Sequence, residues 1–105
     1  MKIEIELSNY QLSFLNEMIA DNTPDKPHGL HKEAKAGFYL ITDTAGKLLK
    51  KAIDKKGVSK PFKIALKYYE AYALHQFLLT FIDYEKTEKR RVTREILGEL
   101  NQKLT

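Results

Sequence analysis

Pro61-Phe62-Lys63-Ile64-Ala65-Leu66-Lys67-Tyr68-Tyr69-Glu70-Ala71-Tyr72-Ala73-Leu74-His75-Gln76-Phe77-Leu78-Leu79-Thr80-Phe81 changes its period half-way along. Phe62, Ile64 and Leu66 alternate with Lys63, Ala65 and Lys67, the period-two pattern of a strand with one covered face. From Tyr68 to about Tyr84 the spacing turns helical and apolar almost all round. A helix of that kind belongs in the centre of a fold or in an interface, so water is expected to be kept from nearly its whole circumference.

The same junction stands at the start of the chain. Ile3, Ile5 and Leu7 alternate with Glu4 and Glu6, and Ser8 with Gln11 three residues later has the spacing of a capping box. Leu12, Leu15, Met18 and Ile19 then recur at helical spacing, with Tyr10 and Phe14 beside them. Overlaid at an offset of 59, Ile5, Leu7, Tyr10 and Leu15 fall on Ile64, Leu66, Tyr69 and Leu74, while Ile3, Met18 and Ile19 fall on the apolar Phe62, Phe77 and Leu78. Chance overlap of a small apolar alphabet is the competing explanation. A true repeat would pair the two strands near a pseudo-twofold axis with helices on one face. Glu4 and Glu6 would then meet Lys63 and Lys67 across the open face.

Between the two junctions lie a turn-rich loop, Asp21 to Gly29, and a long helical pattern from about His31 to Lys56. Phe38, Ile41, Ala45, Leu48, Leu49, Ala52 and Ile53 form its stripe, and Lys55-Lys56-Gly57 supplies a basic last turn and a glycine stop. Gly37 and Gly46 suggest a kink or a close helix crossing. The last pattern runs from about Lys86 to Leu104, with Val92, Ile96, Leu100 and Leu104 on one narrow side. The expectation is a single domain over residues 1–105 of helix-dominated α+β class. It has two short strands, about 2–7 and 61–67, four helices and a β-α-α/β-α-α pseudo-repeat. A two-stranded ribbon is marginal alone, so it must pack on helices or extend across a dimer.

Composition narrows the function classes. The chain has 105 residues, 43% apolar and 30% charged, with a formal net charge of +4. That balance describes a small folded domain with a mild basic bias. The absence of cysteine excludes disulfide frameworks, thiolate metal sites and cysteine nucleophiles, and suits a reducing cytoplasm. The N-terminus lacks the apolar block of a signal peptide, and the most apolar run, Ala71 to Ile82, is too short for a bilayer that needs about 20 residues.

No nucleophile elbow, P-loop, dinucleotide-binding fingerprint or zincin motif is present, and no isolated carboxylate pair lies on an apolar background. The expectation is a non-catalytic protein without a cofactor. His28 and His31, with Asp21 and Asp25 upstream, are the one candidate metal cluster; without a further ligand they read as a solvated loop. His75, in the apolar helix, reads as a hydrogen-bonded core or interface histidine.

Two surfaces remain. Tyr68, Tyr72, His75, Phe77, Leu78 and Phe81 are the candidate interface residues, aromatic anchors on an apolar helix, and they point to a self-associating intracellular interaction module, a homodimer first. The alternative is a nucleic-acid-associated protein. It would hold phosphates through Lys47, Lys50, Lys51 and Lys55, with Lys56 and Lys60 nearby, and through Lys86, Lys89, Arg90, Arg91 and Arg94. Glu85, Glu88, Glu95 and Glu99 interrupt the second cluster, as on an ordinary solvated helix. A helix-turn-helix around Gly57 is rejected, because its buried positions would fall on Lys56 and Lys63.

Overall fold

The computed structural model describes residues 2–22, 32–84 and 86–105, and leaves out the side chains of residues 32–36, 38 and 84. Both alternating runs are strands. β1 (Lys2–Leu7) and β2 (Phe62–Lys67) pair antiparallel, with Ile5 opposite Ile64. Ile3, Ile5 and Leu7 of β1 and Phe62, Ile64 and Leu66 of β2 are buried on one face, while the opposite face is exposed. On that exposed face Glu6 stands opposite Lys63, and Glu4 opposite Ala65 with Lys63 and Lys67 on its diagonals. The remaining pair, Lys2 opposite Lys67, joins like charges.

Four helices cover the inner face: α1 (Asn9–Asn22), α2 (Lys32–Asp54), α3 (Tyr68–Phe81), continued by one 3₁₀ turn at Ile82–Tyr84, and α4 (Thr87–Leu104). Ser8 opens α1 with a complete capping box. The Ser8 amide donates to Gln11 Oε1 at 3.0 Å, and the Gln11 amide donates to Ser8 Oγ at 3.1 Å. Past the end of α2, Gly57 takes φ +85°, a conformation that costs an L side chain about 1–2 kcal/mol. Asn9 Nδ2 holds that turn by donating to the carbonyls of Lys55 (2.7 Å) and Val58 (2.8 Å). Gly46 has open space where a Cβ would stand, so the close crossing suggested by the sequence is not made there.

The repeat is present in the architecture. α3 starts and ends 59 residues after α1, and burial follows the offset: Leu12, Leu15 and Ile19 match Ala71, Leu74 and Leu78, all in the core, while Tyr10 matches Tyr69, both about half exposed. Since 59 also carries Ile5 onto its own cross-strand partner Ile64, the pseudo-twofold axis passes through that pair. Each first helix packs on both second helices, α1 on α2 and α4, and α3 on α4 and α2. Thr44 in α2 and Thr93 in α4 are buried alike, each hydroxyl donating to the carbonyl four residues back.

One expectation is overturned. α3 lies at the periphery, and only Glu70, Ala71, Leu74 and Leu78 are buried. Four helices around one small ribbon leave each of them an outward side, so water reaches a broad strip of α3. β2 also separates α2 from α3, which leaves no helix-turn-helix around Gly57.

Candidate interaction surfaces

Glu70 is the residue that sequence reasoning missed. It is the third residue of α3, and its buried Oε1 accepts from the Lys67 amide at 2.8 Å and from Lys47 Nζ of α2 at 2.7 Å. Burial works to raise the Glu70 carboxyl; the Lys47 ammonium and the Lys67 amide outweigh it and hold the group below the usual carboxylate range. Gln11 occupies the equivalent place in the first half, accepting from Ser8 and donating through Nε2 to Glu95 of α4 at 3.4 Å. Lys67 carries no acceptor, so α3 has only the carboxylate half of a capping box. The signal was present, an acid three residues into an apolar helix, but the partner Lys47 is 23 residues away.

The outward strip of α3 carries Tyr68, Tyr69, Tyr72, Gln76, Leu79 and Thr80, with Tyr72 53% and Leu79 54% exposed. It holds no charged side chain. Along its flank Tyr68, Tyr72, His75, Leu79 and Ile82 repeat at spacings of four and three, the period of a helix–helix seam. Among the candidates named from sequence, Tyr68 and Tyr72 are exposed and His75, Phe77 and Phe81 are half-buried. The rings of Phe77 and Phe81 lie 4.8 Å apart against the core. Leu78 is not a surface residue: it is 0% exposed and belongs to the chain's own core.

The two basic clusters part company. On α4, Lys89 reaches Glu17 (3.0 Å) and Asp21 (3.3 Å) of α1, Arg90 reaches Asp83 (3.3 Å), and Arg91 pairs with Glu88 and Glu95. Lys86 and Arg94 remain exposed. Three of the five cations in this cluster are thus met by carboxylates of the same molecule. On α2 the Lys47 ammonium holds Glu70, and the Lys55 ammonium lies 5.8 Å from the centre of the Phe62 ring. Among the described residues Lys50, Lys51, Lys56, Lys60 and Lys63 have no carboxylate within 4.0 Å.

The strand edges are guarded. Glu99 Oε2 of α4 accepts the outward amide of Glu6 at 2.8 Å on the free side of β1, and Glu70 takes the outward amide of Lys67 on the free side of β2. A shallow apolar groove of about 190 Å³ between α1 and α2 is lined by Asn16, Ile19, Ala20, Thr42, Ala45 and Leu49, and the buried Asn16 Oδ1 there has no hydrogen-bond donor among the described residues. His28 and His31 lie outside the described residues, as does the Phe38 side chain. No group of metal-ligating side chains is found among the described residues, and no helix among them is long and apolar enough to cross a membrane.

No protein-family model, curated protein or solved structure matches the chain.

Proposed function

We propose that the protein is a non-catalytic interaction module that pairs with a second copy of itself through the outward strip of α3. The observation behind this reading is the uncharged strip itself: in a chain 30% charged, the solvent side of a 14-residue helix carries three tyrosines and a leucine and no charge. Tyrosine anchors bury much area at low entropic cost and keep a polar tip. The four-and-three spacing of Tyr68, Tyr72, His75, Leu79 and Ile82 suits a like helix as the counterpart, since a twofold contact sets the same residues on both sides. A helix of this length is about 21 Å long, at the low end of interface sizes, so association in the micromolar range is expected.

Sedimentation equilibrium tests it. The native chain is expected to dimerise in the micromolar range, and Tyr72→Glu with Leu79→Glu is expected to give a folded monomer. A native chain that stays monomeric at high micromolar concentration overturns the reading.

A further inference from the structure

We propose that the surface built by residues 44–69 binds single-stranded nucleic acid through its phosphate backbone, independently of any pairing through α3. Charge segregation is the first argument. That stretch holds eight lysines and one aspartate, net +7, against +4 for the whole chain, so everything else sums to −3. Such a field attracts a polyanion and releases its counterions.

The fold then gathers these lysines. Lys47 reaches Glu70 at the start of α3, and Lys55 reaches Phe62 at the start of β2, so side chains two turns apart on α2 reach towards the two ends of β2. Lys51, one turn from each, shares their helix face at i, i+4, i+8 spacing. Lys56 and Lys60 lie on the connection, and Lys63 and Lys67 on the exposed face of β2. Seven of the eight, all but Lys47, have no carboxylate within 4.0 Å among the described residues, in contrast to Lys89, Arg90 and Arg91 of α4. That contrast selects the first cluster over the second.

Aromatic rings favour a single strand over a duplex. Tyr69, which is not part of the Tyr68–Tyr72 seam, is half exposed where β2 ends, and the Lys67 ammonium lies 5.7 Å from the centre of its ring. Lysines bordered by an exposed tyrosine suit a strand whose bases are free to stack, whereas each of the four described helices packs on at least two others and none is free to enter a major groove.

Fluorescence anisotropy of a labelled oligothymidylate of about 20 residues, titrated with the full chain from about 20 to 300 mM KCl, tests the proposal. Binding should weaken steeply with salt. Lys50→Gln, Lys51→Gln and Lys63→Gln together should lower the slope of log K against log salt by about 2, at about 0.7 per lost phosphate contact. Arg90→Gln with Arg91→Gln should leave the slope unchanged, and circular dichroism checks that each variant is folded. Tyr69→Leu should weaken binding to the oligonucleotide while leaving retention on heparin unchanged. No anisotropy change at the lowest salt overturns the proposal, as does a slope indifferent to the triple change. Tighter binding to phosphatidylserine vesicles or to polyglutamate than to the oligonucleotide overturns it in favour of a membrane or an acidic protein.

Discussion

Replacing Glu70 separates the two jobs its carboxylate does. Glu70→Ala removes the acceptor for the Lys67 amide and for the Lys47 ammonium, both now bonded at under 3 Å. A lost helix-start acceptor costs about 1 kcal/mol, and a hydrogen bond to a charged group about 1.5–3 kcal/mol. Lys47 is 39% exposed and can turn to water, which brings the second figure to its lower end, for a total of about 2.5 kcal/mol. At roughly 4–8 °C per kcal/mol for a domain of this size, the Tm should fall by about 10–20 °C. Glu70→Gln keeps an acceptor for the amide, as Gln11 does in the other half, and should cost less than about 1 kcal/mol. The comparison also fixes a pH dependence. Because the folded carboxyl lies below its ordinary value, its contribution is fully present above the unfolded pKa and is lost as pH falls through the folded one. The gap between the native chain and Glu70→Gln, measured by urea unfolding, should therefore narrow on going from neutral pH into that acid range. Glu70→Gln as damaging as Glu70→Ala, or Glu70→Ala within about 0.5 kcal/mol of the native chain, would refute the reasoning.

Five further substitutions test the packing, the glycines and the cap. Leu78→Ala should cost about 3 kcal/mol in urea unfolding, as a fully buried leucine in the core does, whereas Tyr72→Ala should shift stability by less than about 0.5 kcal/mol and show itself in sedimentation instead. Gly46→Ala, at a helical site with open space for the methyl, should stabilise by about 0.5–1 kcal/mol, and Gly57→Ala, at φ +85°, should destabilise by about 1 kcal/mol; thermal melts read both signs. Ser8→Ala should cost about 1 kcal/mol through the lost cap, measured the same way.

What the sequence shows and what it hides divide by range along the chain. The strands, the Ser8–Gln11 box and the Gly57 stop are patterns within a few residues, and local sterics and hydrogen bonding decide them. The offset of 59 was legible for the same reason, since it compares two local patterns. The inward side of α3 was not. Its composition is apolar everywhere, so periodicity cannot say which leucine meets the core, and Leu78 and Leu79 differ only by the 100° between them on the helix. The fate of the cations was equally hidden, because Lys89 finds Glu17 and Asp21 about 70 residues away and Lys47 finds Glu70 across two elements.

The axis through Ile5 and Ile64 gives the ribbon's charges a further meaning. Were two first strands from separate molecules to meet in the observed register, Glu4 would face Glu6 twice over, a repulsion of about 0.2–1 kcal/mol at each meeting. The observed duplex instead sets Glu6 against Lys63. The acids of the first strand thus act as a mating rule, steering it towards Lys63 of its sibling and away from zippering with the first strand of another chain.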